Sequence, residues 1–196
     1  MVTTIAAVPL GPALLNMFFL ILLVAMFLSL VVQHYIGPLP TIGARVMLMP
    51  IVMFYGALAM PTWGMLALSF AGGLMWDALH VQMIEGEVEI GLGWSIVLYA
   101  ALGALMSGFR PLFQRGRWEI HCILSGLCTA AIVLAEFLMI SIRRQPILLH
   151  FDREIWMRVA GAGITAMFLS PFFFFALNYI ARVVGYDLQP QRSEER

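Results

Sequence analysis

Residues 61–79 read PTWGMLALSFAGGLMWDAL, an apolar run whose one charge is Asp77, near its far end. Pro61 suits the first position of a helix, where its missing N–H is no loss. A charged Asp at the centre of a membrane helix costs about 2.5–3.5 kcal/mol on insertion scales, and less toward an end. Gly73 lies one turn before it and Ser69 two turns before, on the same face. Asp77 therefore ends a narrow stripe of small residues against which another helix can pack closely. The run predicts a membrane helix, and Asp77 poses the functional question of what it serves.

Composition extends this reading to the whole chain. The 196 residues are 62% hydrophobic and 11% charged, where soluble domains have about 45–50% and about 25%. An ordinary soluble fold is excluded. The eleven basic residues, all Arg, balance eleven acidic ones, so no strong field recruits nucleic acid or acidic ligands. Cys122 and Cys128 stand six apart in one apolar segment. On a helix they face different ways and cannot bridge each other, so they read as small buried apolar side chains. The N-terminal apolar stretch has no basic flank and is too long for a signal-peptide core, so it reads as a retained first span.

Runs near the 20 residues that cross a bilayer mark further spans. They cover about 13–36, 45–60, 61–79, 92–109, 119–142 and 155–184. The second is short and carries Pro50, which suggests a tilted or partly embedded segment. The expected fold is an all-α integral membrane protein, a compact bundle of about six transmembrane helices in one domain, residues 1–188. Residues 189–196 form a short disordered tail. The loop between spans three and four is acidic (Glu85, Glu87, Glu89), and residues 146–151 form an apolar patch able to lie along the interface. Counting arginines does not orient the bundle. One side would hold Arg110, Arg115, Arg117, Arg182, Arg192 and Arg196, the other Arg45, Arg143, Arg144, Arg153 and Arg158.

Most signatures of membrane enzymes are absent. There is no His-Glu-x-x-His, no Gly-x-Ser-x-Gly turn, no Walker A and no dinucleotide fingerprint. His34, His80, His121 and His150 fall at separate span ends or loops, which suggests interfacial polar residues and no metal set. Glu136, in AIVLAEFLMI (131–140), is the second intramembrane carboxylate. Such a group is a proton relay, an ion ligand, a partner to a buried Arg, or a hydrogen-bonded tie between helices. Small-residue stripes at Ala100, Ala104 and Gly108 and at Ala162, Ala166 and Ser170 predict close helix packing. Pro171 followed by Phe172–Phe175 predicts a kink in an aromatic helix half whose surface faces lipid or a partner helix.

Phe70-x-x-Gly73-x-x-x-Asp77 resembles a stretch of the third span of the MreD family of bacterial rod shape-determining proteins. The helix from Gly91 to Leu105, the late carboxylate helix at Ala135-Glu136-Phe137-Leu138, and Ser170-Pro171 with its aromatic run and Arg182 are similar in placement. The family's Gly-rich turn after the Asp is replaced here by His80, Val81 and Gln82. The resemblance implies six helices with both termini cytoplasmic, in the bacterial inner membrane. It also implies a fold similar to the substrate-binding components of energy-coupling-factor transporters. Members work beside MreC and MreB in the machinery that builds lateral peptidoglycan. On this resemblance the chain is expected to be a non-enzymatic scaffold, without cofactor, metal or catalytic residues. Its partners are the lipid bilayer, an MreC-like protein and other elongation-complex proteins, met through a helix-packing interface at Phe70, Gly73, Asp77, Glu136 and Pro171. The alternative from a different class is a small-solute or vitamin transporter component.

Overall fold

The computed structural model describes residues 12–40, 43–79, 82–84, 87–89, 93–114, 117–143 and 151–186. The tail at 189–196, residues 146–150 of the apolar patch, Glu85, His80 and His150 lie outside the described residues. Seven helices and two short strands are described: α1 (Pro12–Tyr35), α2 (Met49–Ala59), α3 (Thr62–Leu79), β1 (Gln82–Ile84), β2 (Glu87–Glu89), α4 (Trp94–Gly108), α5 (Arg110–Gln114), α6 (Trp118–Arg143) and α7 (Arg153–Val184).

Three helices are long and apolar enough to cross a membrane, over Ala13–Tyr35, Trp118–Ile142 and Arg153–Val184. Their outward faces are apolar as well. On α7, Phe168, Phe172, Phe175, Tyr179 and Val183 follow one exposed ridge, and on α3 Trp63, Leu66, Phe70 and Leu74 do the same. Exposed apolar surface on this scale is unfavourable in water and is matched by hydrocarbon. The architecture is that of an all-α membrane protein.

α2 is the centre of the packing. Every residue from Met49 to Leu58 is buried, as expected of a helix that is hydrophobic all round. Its 11 residues reach only about 16 Å at 1.5 Å per residue, roughly half the hydrocarbon thickness. The expected second span therefore divides into irregular backbone over 43–48 and a short helix from 49. Pro50 sets the division, because its ring fits a first turn and not a helix interior. At the start of α2, Gln33 Oε1 accepts from the Leu48 and Met49 N–H groups at 2.8 and 3.2 Å. At its end, Arg110 donates to the Ala57 and Met60 carbonyls. Ser107 donates to Ala57 O at 3.2 Å and Tyr186 to Ala59 O at 3.0 Å. Irregular backbone is thus satisfied by protein where no water is at hand.

Around α2, α1 turns Phe18, Leu22, Met26, Ser29, Leu30 and Gln33 inward at helical spacing. α6 and α7 pair closely. A Cβ on Gly126 would lie 2.8 Å from Gly163 O, and one on Gly163 2.9 Å from Gly126 O. Buried Ala162, Ala166 and Ser170 continue that contact on α7. The expected stripe on α4 does not pack this way. Ala104 is exposed and Gly108 has open space before it; Ser95, Tyr99, Gly103 and Met106 are the buried face.

Three further features have local causes. Arg110-Pro111 ends α4 as expected, but Pro111 then stands in the first turn of α5, the one helical place that tolerates it. The acidic connection between α3 and α4 contains a hairpin, with Met83 opposite Val88 and Gln82 opposite Glu89. Alternating polar and apolar residues in Glu87-Val88-Glu89 suit a strand. α7 runs on through Pro171, which supplies no N–H to the carbonyl of Met167.

The two ends of the bundle differ. Phe18, early in α1, stacks on Tyr186, just after α7, with ring centroids 4.3 Å apart. The first and last helices therefore have their outer ends together. The end of α1, the segment before α2, the end of α3, the late part of α6 and the start of α7 meet at the opposite end.

Candidate functional site

The stripe ending in Asp77 is buried throughout: Ser69, Gly73 and Asp77 all face inward. The helix packed on it is α4 of the same chain. A Cβ on Gly73 would lie 2.5 Å from Ile96 Cα and 2.6 Å from Ile96 N, closer than packed atoms allow. Ser69 Oγ donates to Met65 O at 2.9 Å and approaches Tyr99 O at 3.4 Å. Asp77 Oδ2 accepts from the Gly93 N–H at 2.8 Å. Gly93 caps the start of α4 with φ 101°, a left-handed conformation that favours glycine. A carboxylate there meets the positive end of the α4 dipole, which favours its charge. Asp77 thus joins the end of α3 to the start of α4.

Asp77→Ala leaves the Gly93 N–H without its acceptor. The expected loss of stability is about 1–3 kcal/mol, the typical effect of orphaning a buried polar group. Asp77→Asn, which keeps a carbonyl acceptor, is expected to lose less. Thermal unfolding of the two variants in the same detergent checks the order.

Glu136 stands on α6, half-buried, at the wall of a cavity of about 690 Å³ at the end opposite the paired helix ends. It takes a hydrogen bond from the Trp76 side chain and lies within electrostatic reach of Arg45 and Asp77. Trp76 immediately precedes Asp77, so Glu136 and Asp77 belong to one neighbourhood. Tyr99 of α4 reaches the same pair electrostatically, and its buried hydroxyl has no hydrogen-bond partner among the described residues. Arg45 is a basic neighbour of Glu136 that the sequence does not reveal. It lies 91 positions before Glu136, counting 136 minus 45, on the irregular segment before α2. Gln33, His34, Arg45 and Arg158 give the cavity its other polar groups, and Val133, Phe137, Ile140, Ile155, Val159 and Ala162 an apolar wall.

The remaining expected site residues lie apart from this cluster. Phe70 is exposed on the far face of α3, 57% accessible. Pro171 is half-buried in α7 and follows Ser170, whose Oγ is 2.7 Å from His121 Nδ1. His121 is a correction to the interfacial reading of the histidines. It is fully buried, with its ring edge-on to Tyr55 at 5.9 Å. The cause is its place in the first turns of α6, which the middle of α7 and α2 enclose. Among the described residues no three His, Cys, Asp or Glu side chains gather as a metal set. No family model matches the chain, and no curated protein or solved structure matches it.

Proposed function

We propose that this chain is a non-enzymatic membrane scaffold of the bacterial cell-elongation machinery, an MreD-like protein acting through an MreC-like partner. It would lie in the inner membrane with both termini cytoplasmic and six spans, formed by α1, α2 together with the irregular backbone before it, α3, α4, α6 and α7. The observation that carries this reading is the division of labour within Phe70-x-x-Gly73-x-x-x-Asp77. Gly73 and Asp77 are consumed by the contact with α4, whereas Phe70 stands exposed on the opposite face. One short motif therefore builds the α3–α4 pair and leaves an aromatic ridge, Trp63, Leu66, Phe70 and Leu74, for an apolar partner helix. Aromatic side chains such as Trp63 and Phe70 are enriched in the cores of protein interfaces.

The test is co-expression with the MreC-like protein encoded in the same genome, followed by co-purification. The expected result is a stable complex with the wild type and a several-fold weaker one with Phe70→Ala, whose melting temperature stays near that of the wild type. Purification of the chain free of that partner would count against the reading.

A second reading, a small-solute or vitamin transporter component, is favoured by one observation: the cavity of about 690 Å³ beside Glu136. That volume is in the range of about 300–1,000 Å³ usual for small-molecule sites. Stabilisation by a water-soluble nutrient would support it, since a ligand that binds only the folded state raises stability by mass action.

A further inference from the structure

The cavity at the end opposite the paired helix ends has a polarity that restricts what it holds. Its two guanidinium groups, Arg45 and Arg158, are both exposed and stand at its edge. Glu136 lines it, already engaged by the Trp76 side chain and by the field of Arg45. Much of the remaining wall is aliphatic or aromatic and comes from α6 and α7, with Phe137, Ile140 and Val159 among it.

Each simple class of occupant leaves part of this surface unmatched. A cation drawn to Glu136 meets two guanidinium groups on its way in. A fully polar anion satisfies the arginines and leaves the α6–α7 wall bare. A neutral hydrocarbon matches the wall and offers the arginines no anion beyond Glu154 and Glu136 of the chain itself.

Arg158 is not tightly committed elsewhere. Its partner Glu154 is one helical turn away, at 2.5 Å, and both side chains are largely exposed. Pairs of that kind contribute little and exchange readily. A guanidinium fork binds carboxylate or phosphate through paired hydrogen bonds.

We propose that this cavity binds an anionic amphiphile, with its carboxylate or phosphate head between Arg45 and Arg158 and its apolar body along α6 and α7. Such a molecule is either a membrane phospholipid or a free long-chain acid, and the site chemistry is the same for both. The proposal does not depend on the scaffold reading, since a scaffold and a solute-binding component can each carry such a site.

The test uses the full chain in nanodiscs of phosphatidylcholine, with melting temperature as the readout and each variant compared with itself. Replacing part of the lipid by phosphatidylglycerol is expected to raise the melting temperature by several degrees. Lauric acid in phosphatidylcholine is the second arm. A rise with phosphatidylglycerol identifies a lipid source, and a rise with lauric acid alone a free acid; either supports the proposal. Arg45→Gln with Arg158→Gln is expected to remove at least half of the rise. Both side chains are exposed, so the doubly substituted chain should fold. Native mass spectrometry should likewise show retained anionic amphiphile on the wild type and several-fold less on that variant. The proposal is overturned if neither amphiphile shifts the melting temperature, if the variant shifts as the wild type does, or if inorganic phosphate alone gives the full rise.

Discussion

Gly73→Leu is expected to prevent the α3–α4 pair from forming and to be the most damaging single substitution in the chain. The site has no room for even one added carbon, since a Cβ there would lie 2.5 Å from the Ile96 backbone. Backbone is what stands in the way, so no side-chain rotation relieves the clash. The helices must separate, and separation also pulls Ser69 from Tyr99 and Asp77 from Gly93. Overpacking by a methylene or two typically costs about 1–3 kcal/mol. With those hydrogen bonds broken as well, a drop in melting temperature on the order of 10 °C or failure to purify as a folded monodisperse protein is expected. Gly73→Ala should show the same effect in smaller measure. Gly108→Ala is the control, because nothing lies within 4 Å of a Cβ there. Its melting temperature should stay within about 2 °C of the wild type. Equal behaviour of the Gly73 and Gly108 variants would show that α3 and α4 are not in backbone contact.

Arg110→Ala is expected to have the second largest effect, by a different mechanism. α2 is buried and short, and its last carbonyls have no helical partner. Arg110 reaches two of them, on Ala57 and Met60. Burial pushes the guanidinium pKa below its ordinary value, partly offset by the neighbouring Tyr186. Tyr186 is shifted upward by burial, with Arg110 opposing. The guanidinium keeps its proton throughout the working range, so the bonds are charge-assisted. Truncation leaves Ala57 O with Ser107 alone and Met60 O without that donor. The expected loss is about 2–3 kcal/mol. Arg110→Lys should recover only part of it, because a single ammonium cannot match the fork that spans two carbonyls. Tyr186→Phe, which removes one neutral bond, should lose about 1 kcal/mol. Unfolding of the three variants in one detergent gives the order. A wild-type melting temperature for Arg110→Ala would mean that α2 is held by packing alone.

These two residues differ in how far sequence reasoning reaches them. Gly73 is legible because helix periodicity places it with Ser69 and Asp77 on one face, and that face is the one that packs. The same reasoning applied to α4 selects Ala100, Ala104 and Gly108, whereas α4 packs through Ser95, Tyr99 and Gly103. Small size permits close approach but does not fix which side of an apolar helix faces inward when every side is apolar. Arg110 reads as a stop signal after α4, and nothing local indicates that its target is the end of α2, some 50 residues earlier. The proximity of Arg45 to Glu136 is hidden for the same reason, since charge partners across a bundle leave no spacing pattern. Hydropathy locates the long helices well, because burial in lipid demands unbroken apolar length. It overextends α2, where a protein interior replaces lipid and a shorter helix suffices.

Whether the chain acts in cell elongation is tested most directly by depleting it in its own host. Cell width and lateral-wall incorporation of a fluorescent D-amino acid would be followed over several generations. Cells are expected to widen and round up while incorporation loses its lateral pattern, with nutrient supply making no difference. Cells that keep their width and fail only when a particular solute is scarce would contradict a role in elongation.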